Sequence, residues 1–221
     1  MSGGQSTVPI TIRTLTGAGW QTAGQHADHL EGWFAHTAGI KVVAPSTPAD
    51  YKGLLLSCIQ DPDPCIFIES AGSLFIPGEV DEVATPIPLG KARIVQEGSD
   101  ITIVSWSSQL LRCQAALPAL AEAGISVELV DLRTVSPWDR EAVLASVAKT
   151  GRALVVHEAV RDFGPGGEIA STIAEELFGQ LKAPVRRLGA PKSPVPFAKV
   201  LEDAYIVSPE RVAETVKALM A

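Results

Sequence analysis

Three apolar runs, Ile101-Thr102-Ile103-Val104-Ser105-Trp106, Val127-Glu128-Leu129-Val130-Asp131-Leu132 and Ala153-Leu154-Val155-Val156-His157, are separated by stretches with helical periodicity. Strands so nearly continuous in apolar residues are buried on both faces. With helices between them, they predict a mostly parallel sheet sandwiched in a three-layer α/β/α domain. The flanking signals agree. Residues 109–122 predict a helix stopped by Gly124, and Ser136-Pro137-Trp138-Asp139 caps another that ends near Gly151. The turn Gly164-Pro165-Gly166-Gly167 leads into a helix reaching about Leu181, residues 184–188 predict a further strand, and 209–220 a final helix.

Upstream, a strand at 8–15, a helix at 28–37, a strand at 40–44, a helix after Ser46-Thr47-Pro48 and the strand Cys65-Ile66-Phe67-Ile68 alternate as βαβαβ. The acidic, proline-punctuated stretch 77–98 suits a linker and divides the chain into residues 1–90 and 91–221. The first unit reads as the middle of a domain. Its opening strand passes through Gly17-Ala18-Gly19 to Gly24-Gln25-His26, which presents an imidazole at a sheet's carboxyl edge, and the sheet's first strands are expected further upstream.

Composition narrows the function. With 221 residues, 46% hydrophobic and 19% charged, the chain has ample material for a core. Its net charge of -7, with no Lys/Arg block, offers a nucleic-acid backbone little counter-charge, and no apolar run spans a bilayer. Cys58, Cys65 and Cys113 form no C-x-x-C pair, so they predict reduced, buried thiols.

Several constellations bear on chemistry. Gly17-Ala18-Gly19-Trp20-Gln21-Thr22 starts like a dinucleotide fingerprint but has Thr22 at the third glycine position, so the glycines read as a tight turn beside a ligand or partner. His26, His29 and His36 raise metal ligation, with His26 and His29 near one helical face. No Asp, Glu or Cys stands at a zinc spacing with them, and a hydrogen-bonded structural imidazole is the plainer reading of each. His157 at a strand end reads as mainly structural. No Ser fits G-x-S-x-G, and no paired carboxylates stand out. In the segment 54–65, a helix ends at Asp61-Pro62-Asp63-Pro64; its unpaired carbonyls and carboxylate could cradle a hard cation, while an Asx-type turn explains the same residues.

Val-Pro-Ile-Thr-Ile-Arg, Gly-Gln-His, Leu-Glu-Gly-Trp-Phe-Ala-His, Gly-Ile-Lys-Val-Val-Ala-Pro-Ser-Thr-Pro, Asp-Leu-Arg-Thr-Val-Ser-Pro-Trp-Asp, Lys-Thr-Gly-Arg and His-Glu-Ala occur in order over essentially the whole chain. Together they resemble the E1 beta subunit of thiamin-diphosphate-dependent 2-oxoacid dehydrogenases, with 54–64 and Pro137-Trp138-Asp139 most like the branched-chain member. The resemblance implies the end of a pyrimidine-binding, transketolase-like domain with a linker over 1–90, and a complete transketolase C-terminal-type domain over 91–221. It implies that His26 lines the active site, where it holds or protonates the substrate-derived intermediate and assists acyl transfer to a lipoyl group. It also implies a structural potassium ion held by groups of Ile10, Thr11, Cys58, Asp61 and Asp63.

Departures from the family pattern are Asp63 in place of Asn, Ala27-Asp28-His29 in place of Ser-Gln-Ser, and Phe163-Gly164-Pro165-Gly166-Gly167 in place of a Gly-Gly-Phe-type turn. Met1-Ser2-Gly3-Gly4-Gln5 resembles an internal stretch of such subunits. The family's acidic and aromatic thiamin contacts are expected upstream of it, and the diphosphate and Mg2+ on an alpha subunit, so the chain alone is expected to be inactive. Implied partners are that alpha subunit, a second beta subunit and the peripheral subunit-binding domain of E2. The implied compartment is the bacterial cytoplasm or the mitochondrial matrix. The competing expectations are a non-catalytic dimerisation and E2-binding scaffold, and an acetoin dehydrogenase, transketolase-like or deoxyxylulose-phosphate synthase fragment; sugar-phosphate chemistry lacks a basic cluster near His26.

Overall fold

The computed structural model describes residues 3–221; Met1 and Ser2, which open the stretch that resembles an internal segment, lie outside the described residues. Before the linker come β1 (Thr11–Thr16), α1 (Ala23–Ala27), α2 (Glu31–Ala35), β2 (Lys41–Val43), α3 (Pro48–Gln60) and β3 (Cys65–Ser70). After it come β4 (Arg93–Gln96), β5 (Ile101–Ser105), α4 (Ser107–Glu122), β6 (Val127–Asp131), β7 (Thr134–Ser136), α5 (Arg140–Thr150) and β8 (Ala153–Val160). The chain continues through α6 (Gly166–Glu176), β9 (Arg186–Ala190), α7 (Lys199–Tyr205) and α8 (Pro209–Met220).

Two sheets form, in the orders β1-β3-β2-β7 and β4-β6-β5-β8-β9. β1 and β2 flank β3 in parallel, and β6, β5, β8 and β9 pair in parallel, as the apolar runs predict. β5 and β6 are buried at every position, since α4 and α8 cover one face and α5 and α6 the other. α3 starts where the sequence signals it: the Thr47 hydroxyl accepts the Asp50 N–H at 3.2 Å, and Pro48 supplies a first residue with no N–H to satisfy.

Four features differ from the sequence reading. The helix predicted at 28–37 is shortened to α2, Glu31–Ala35, and a separate, unpredicted helix, α1, precedes it and ends at Ala27, where Asp28 turns extended (ψ 134°). α6 ends at Glu176 rather than near Leu181. The stretch 77–98 is not all linker: β4 pairs antiparallel with β6 as an edge strand. β7, three residues long and too short to carry a period, leaves the second half and pairs antiparallel with β2. The first sheet is therefore completed by a strand from beyond the linker, and one hydrophobic core runs through Ile66, Ile68, Val104, Trp106, Val130 and Val135.

A buried polar network fastens the same junction. Asp50 of α3 meets Arg133 at 2.8 Å and Arg93 at 3.4 Å, and Arg93 also reaches Asp131 at 3.0 Å, whose other oxygen accepts the Ser46 hydroxyl. Burial, and then the Asp50 charge, push the Asp131 carboxyl up to about 6. Asp50→Ala removes the carboxylate both arginines share. We expect a loss of about 1–3 kcal/mol in urea unfolding, less than the ~3–5 of a fully buried pair because both guanidinium groups reach solvent. An unchanged midpoint would show that the network contributes nothing.

Candidate functional site

β1 ends at Thr16, whose carbonyl accepts the Ala71 N–H that extends the pairing with β3 at 2.8 Å. The chain must then turn sharply. Gly17 (φ 107°) lies so close to β3 that a Cβ would sit 2.8 Å from the Ser70 hydroxyl, and Gly19 (φ 118°) is also left-handed. The glycines thus make the predicted tight turn. The loop closes through the Gly17 N–H on the Ala27 carbonyl at 3.2 Å. α1 follows, and His26 falls in its last turn, exposed, beyond the carboxyl ends of β1 and β3.

His29 does not share a helical face with His26. It occupies the break between α1 and α2 and turns inward, with a side chain only 5% exposed. Its Nε2 lies 3.1 Å from Glu158 at the end of β8, and its Nδ1 3.5 Å from Glu31 of α2 and 3.2 Å from the Thr16 hydroxyl. Glu158 also accepts the Ala18 N–H at 2.7 Å and the Ser108 hydroxyl, and Glu31 accepts the indole N–H of Trp106 at 3.3 Å. Burial alone would disfavour charge on all three groups. For His29 the two carboxylates outweigh it and raise the imidazole well above its ordinary range. For Glu158 the His29 charge and the donated hydrogen bonds prevail and bring it down to about 2.

His157, whose position at a strand end could by itself suit a catalytic role, packs into the core. It is fully buried and stacked on Trp106 with ring centres 5.3 Å apart, and its Nδ1 meets the Ala159 carbonyl at 3.0 Å; burial lowers it to about 4. Gly164, Gly166 and Gly189 crowd its ring so closely that a Cβ on any of them would collide with it. Beyond α1 opens a cleft of about 820 Å³ whose wall includes Trp33, Phe163, Pro165 and Tyr205, with Asp28 and His29 at its inner side.

The residues expected to hold a monovalent ion gather in one corner, at the start of β1 and the end of α3. The Ile10 carbonyl accepts the Cys65 N–H at 2.9 Å, Thr11 lies opposite Cys65, and the Cys58 carbonyl accepts the Asp61 N–H at 3.3 Å. A cation already sits there: the Lys41 ammonium contacts both Asp61 oxygens at 2.6 and 2.7 Å and Asp63 at 3.1 Å. Asp63, the departure from Asn, is one of its partners. No cluster of three or more His, Cys, Asp or Glu suited to a metal occurs among the described residues. All three cysteines are free and buried, as predicted.

Sequence reasoning did not single out Glu31, Glu158, Ser108 or Glu202, each of which meets a partner 50 to 183 residues away along the chain. The available signal was the presence of acidic residues inside otherwise apolar stretches, at His157-Glu158 above all.

Comparison with known proteins follows the two halves of the chain. A family model described as the transketolase pyrimidine binding domain matches residues 1–75, and one described as the transketolase C-terminal domain matches residues 90–212. The acetoin:2,6-dichlorophenolindophenol oxidoreductase subunit beta of Cupriavidus necator is 44% identical over 220 residues, all of this chain and 65% of its own length. The pyruvate dehydrogenase E1 component subunit beta of Acholeplasma laidlawii is 42% identical, over 99% of this chain and 67% of its own length. The mitochondrial 2-oxoisovalerate dehydrogenase subunit beta of Dictyostelium discoideum is 44% identical, over 99% and 60%. The chain therefore spans roughly two thirds of the length of these relatives. A solved split-gene transketolase, an inactive beta4 tetramer, shares the fold with a TM-score of 0.78 at 20% identity, over 97% of this chain and 67% of its own.

The buried bridge has a pH signature. His29, raised above its ordinary 6.5, contributes stability that is full below about that pH and lost as pH rises through its folded value. Glu158, depressed to about 2, contributes stability present above its ordinary 4.5 and lost as pH falls through about 2. His29→Ser should therefore cost about 3–5 kcal/mol between pH 4.5 and 6.5, and less at either side, in denaturant unfolding across pH. A difference from wild type that is flat with pH would contradict a charged bridge.

Proposed function

Because this chain belongs to the family of transketolase-like E1 beta subunits, we propose that it serves in the oxidative decarboxylation of a 2-oxoacid, with acyl transfer to a lipoyl group, as partner of an alpha subunit. The observation that carries the reading is the placement of His26. It is an exposed imidazole beyond the carboxyl ends of parallel strands, where open α/β sheets bind ligands, and the Gly-Gln-His word that it closes resembles the one carrying the family's substrate-side histidine. Thiamin diphosphate with Mg2+, when bound, supplies the carbon nucleophile and electron sink that decarboxylation requires.

The residues of this chain suit the substrate-facing side of such a site. The cleft that begins at Asp28, two residues past His26 and without His26 in its wall, is lined largely by aromatic and apolar groups and carries a single Lys or Arg, Lys192, against Asp28 and Asp162. A diphosphate would meet no excess of positive charge there, which is consistent with its being held by the alpha subunit. What this chain contributes is an exposed imidazole, a side chain chemically able to donate or accept a proton, on a backbone held from below by Glu158. A second copy of the chain and the peripheral subunit-binding domain of E2 complete the proposed assembly. The proposed compartment is the bacterial cytoplasm or the mitochondrial matrix; no helix among the described residues is long and apolar enough to cross a membrane.

The test is a complex of this beta chain with its cognate alpha subunit, thiamin diphosphate, Mg2+ and lipoyl-E2. Pyruvate, branched-chain 2-oxoacids and acetoin are to be compared as substrates. His26→Ala should lower overall flux by about 10²–10⁴-fold while gel filtration shows the assembly intact. Wild-type flux in the variant would remove His26 from the chemistry. No turnover with any of these substrates by the wild-type complex would favour a scaffold.

Potassium belongs to the same proposal. With Asp61 and Asp63 engaged by Lys41, the remaining donors are carbonyl oxygens such as those of Ile10 and Cys58, each with a lone pair to spare, a donor set that suits a large monovalent ion better than a small divalent one. At equal ionic strength, the melting temperature should be higher in potassium chloride than in tetramethylammonium chloride by roughly 2–8 °C. Equal values would exclude the ion from this corner.

A further inference from the structure

Between the Gly-rich turn and α1 the backbone is strained, and something must hold it. Gln21 and Ala23 both have φ 55°, in the left-handed region that residues with a Cβ avoid; Gln21 lies just before the helix that carries His26 and Ala23 is its first residue. The group that meets this segment is Glu202 of α7. Its Oε1 accepts the Gly19 N–H at 2.7 Å and the Gln21 N–H at 3.1 Å, and its Oε2 lies 3.2 Å from the same Gln21 N–H. Glu202 is fully buried, and among the described residues no Lys, Arg or His pairs with it. A carboxylate desolvated without a counter-charge persists only where N–H dipoles converge on it, so the loop and the carboxylate need one another. On the same helix Val200 and Leu201 are exposed, whereas Glu202 and Tyr205 face inward.

We infer that Glu202 is a positioning residue for His26: by clamping Gly19 and Gln21 from the C-terminal half of the chain, it fixes the strained entry to α1 and thereby the place and orientation of the imidazole. The inference rests on the proposed role of His26 only for its consequence in turnover. Its structural content stands apart from that role. The clamp is separate from the Glu158 bridge, which holds Ala18 one residue earlier and comes from strand β8, not from helix α7.

The experiment compares Glu202→Gln, Glu202→Ala and, as a control on the exposed face of α7, Val200→Ala. Amide hydrogen exchange and the histidine NMR signals are followed in the chain, and steady-state kinetics in the assembled complex. Glu202→Ala should speed exchange at Gly19, Gln21 and through α1 by about 10-fold or more and shift the His26 ring signals. It should lower kcat about 10–10²-fold with KM nearly unchanged, because the imidazole is displaced rather than lost. Glu202→Gln keeps the shape and one acceptor oxygen, so it should fall between wild type and Ala; Val200→Ala should match wild type. Unchanged protection at residues 17–27 in Glu202→Ala would overturn the clamp. So would loosening that leaves the His26 signals where they were, or a loss of protection spread evenly over the whole chain. If the loop loosens and the His26 signals move while His26→Ala itself keeps full turnover, the clamp stands and the catalytic role of His26 falls.

Discussion

The ionic contact between His29 and Glu158 is the constraint around which the site is organised. Both groups are almost completely removed from water, and neither could carry charge there alone. They do so because the contact is not left as a bare pair: Glu158 also takes the Ala18 N–H and the Ser108 hydroxyl, and His29 has Glu31 and the Thr16 hydroxyl on its other nitrogen. Such a buried ionic network adds little net stability over a well-packed apolar equivalent, but it tolerates few arrangements of its members. Those members come from β1, the break after α1, α2, α4 and β8, so satisfying the charges sets the register of one half of the chain against the other.

A second junction supplies what the first lacks. The His29 bridge is purely polar, whereas at β7 the two halves share sheet hydrogen bonds and a continuous apolar core, with Asp50, Arg93, Arg133 and Asp131 alongside. The apolar burial provides the driving force and the polar groups choose the orientation. The stacking of His157 on Trp106 connects the two junctions, since Trp106 belongs to the shared core and donates to Glu31.

How much of this was readable in the sequence depended on whether the determinant was local. The parallel strands β3, β5, β6 and β8 declared themselves by unbroken apolar runs, and the start of α3 by Thr47-Pro48 with Asp50. β7, with three residues, has no period to read, and the helix break at Asp28 has no Gly or Pro to announce it. The carboxylates of the site were invisible for another reason. Glu158 and Glu202 take their meaning from backbone N–H groups 140 and 183 residues away, and nothing in their immediate neighbours encodes that partner. His26 was placed by resemblance, and the geometry around it is new information that no local pattern carried.

One division of labour follows from the contrast between His26 and everything beneath it. Each backbone N–H from Ala18 to Gln21 that meets a carboxylate is directed into the protein, while the exposed His26 side chain has no hydrogen-bond partner among the described residues. The proton transfer proposed for His26 needs a fixed Cα and an open ring, because rigidity sets the distance to a reacting atom and exposure leaves the imidazole available to it. Packing His26 into the core, as His157 is packed, would fix the ring but drive its pKa down and close it to substrate. Placing it on an untethered Gly-rich loop would leave it accessible but unplaced. A short helix on a strained loop, held from below by carboxylates of the other half, satisfies both demands, and it makes the C-terminal half a structural part of the site although the histidine itself lies in the N-terminal one.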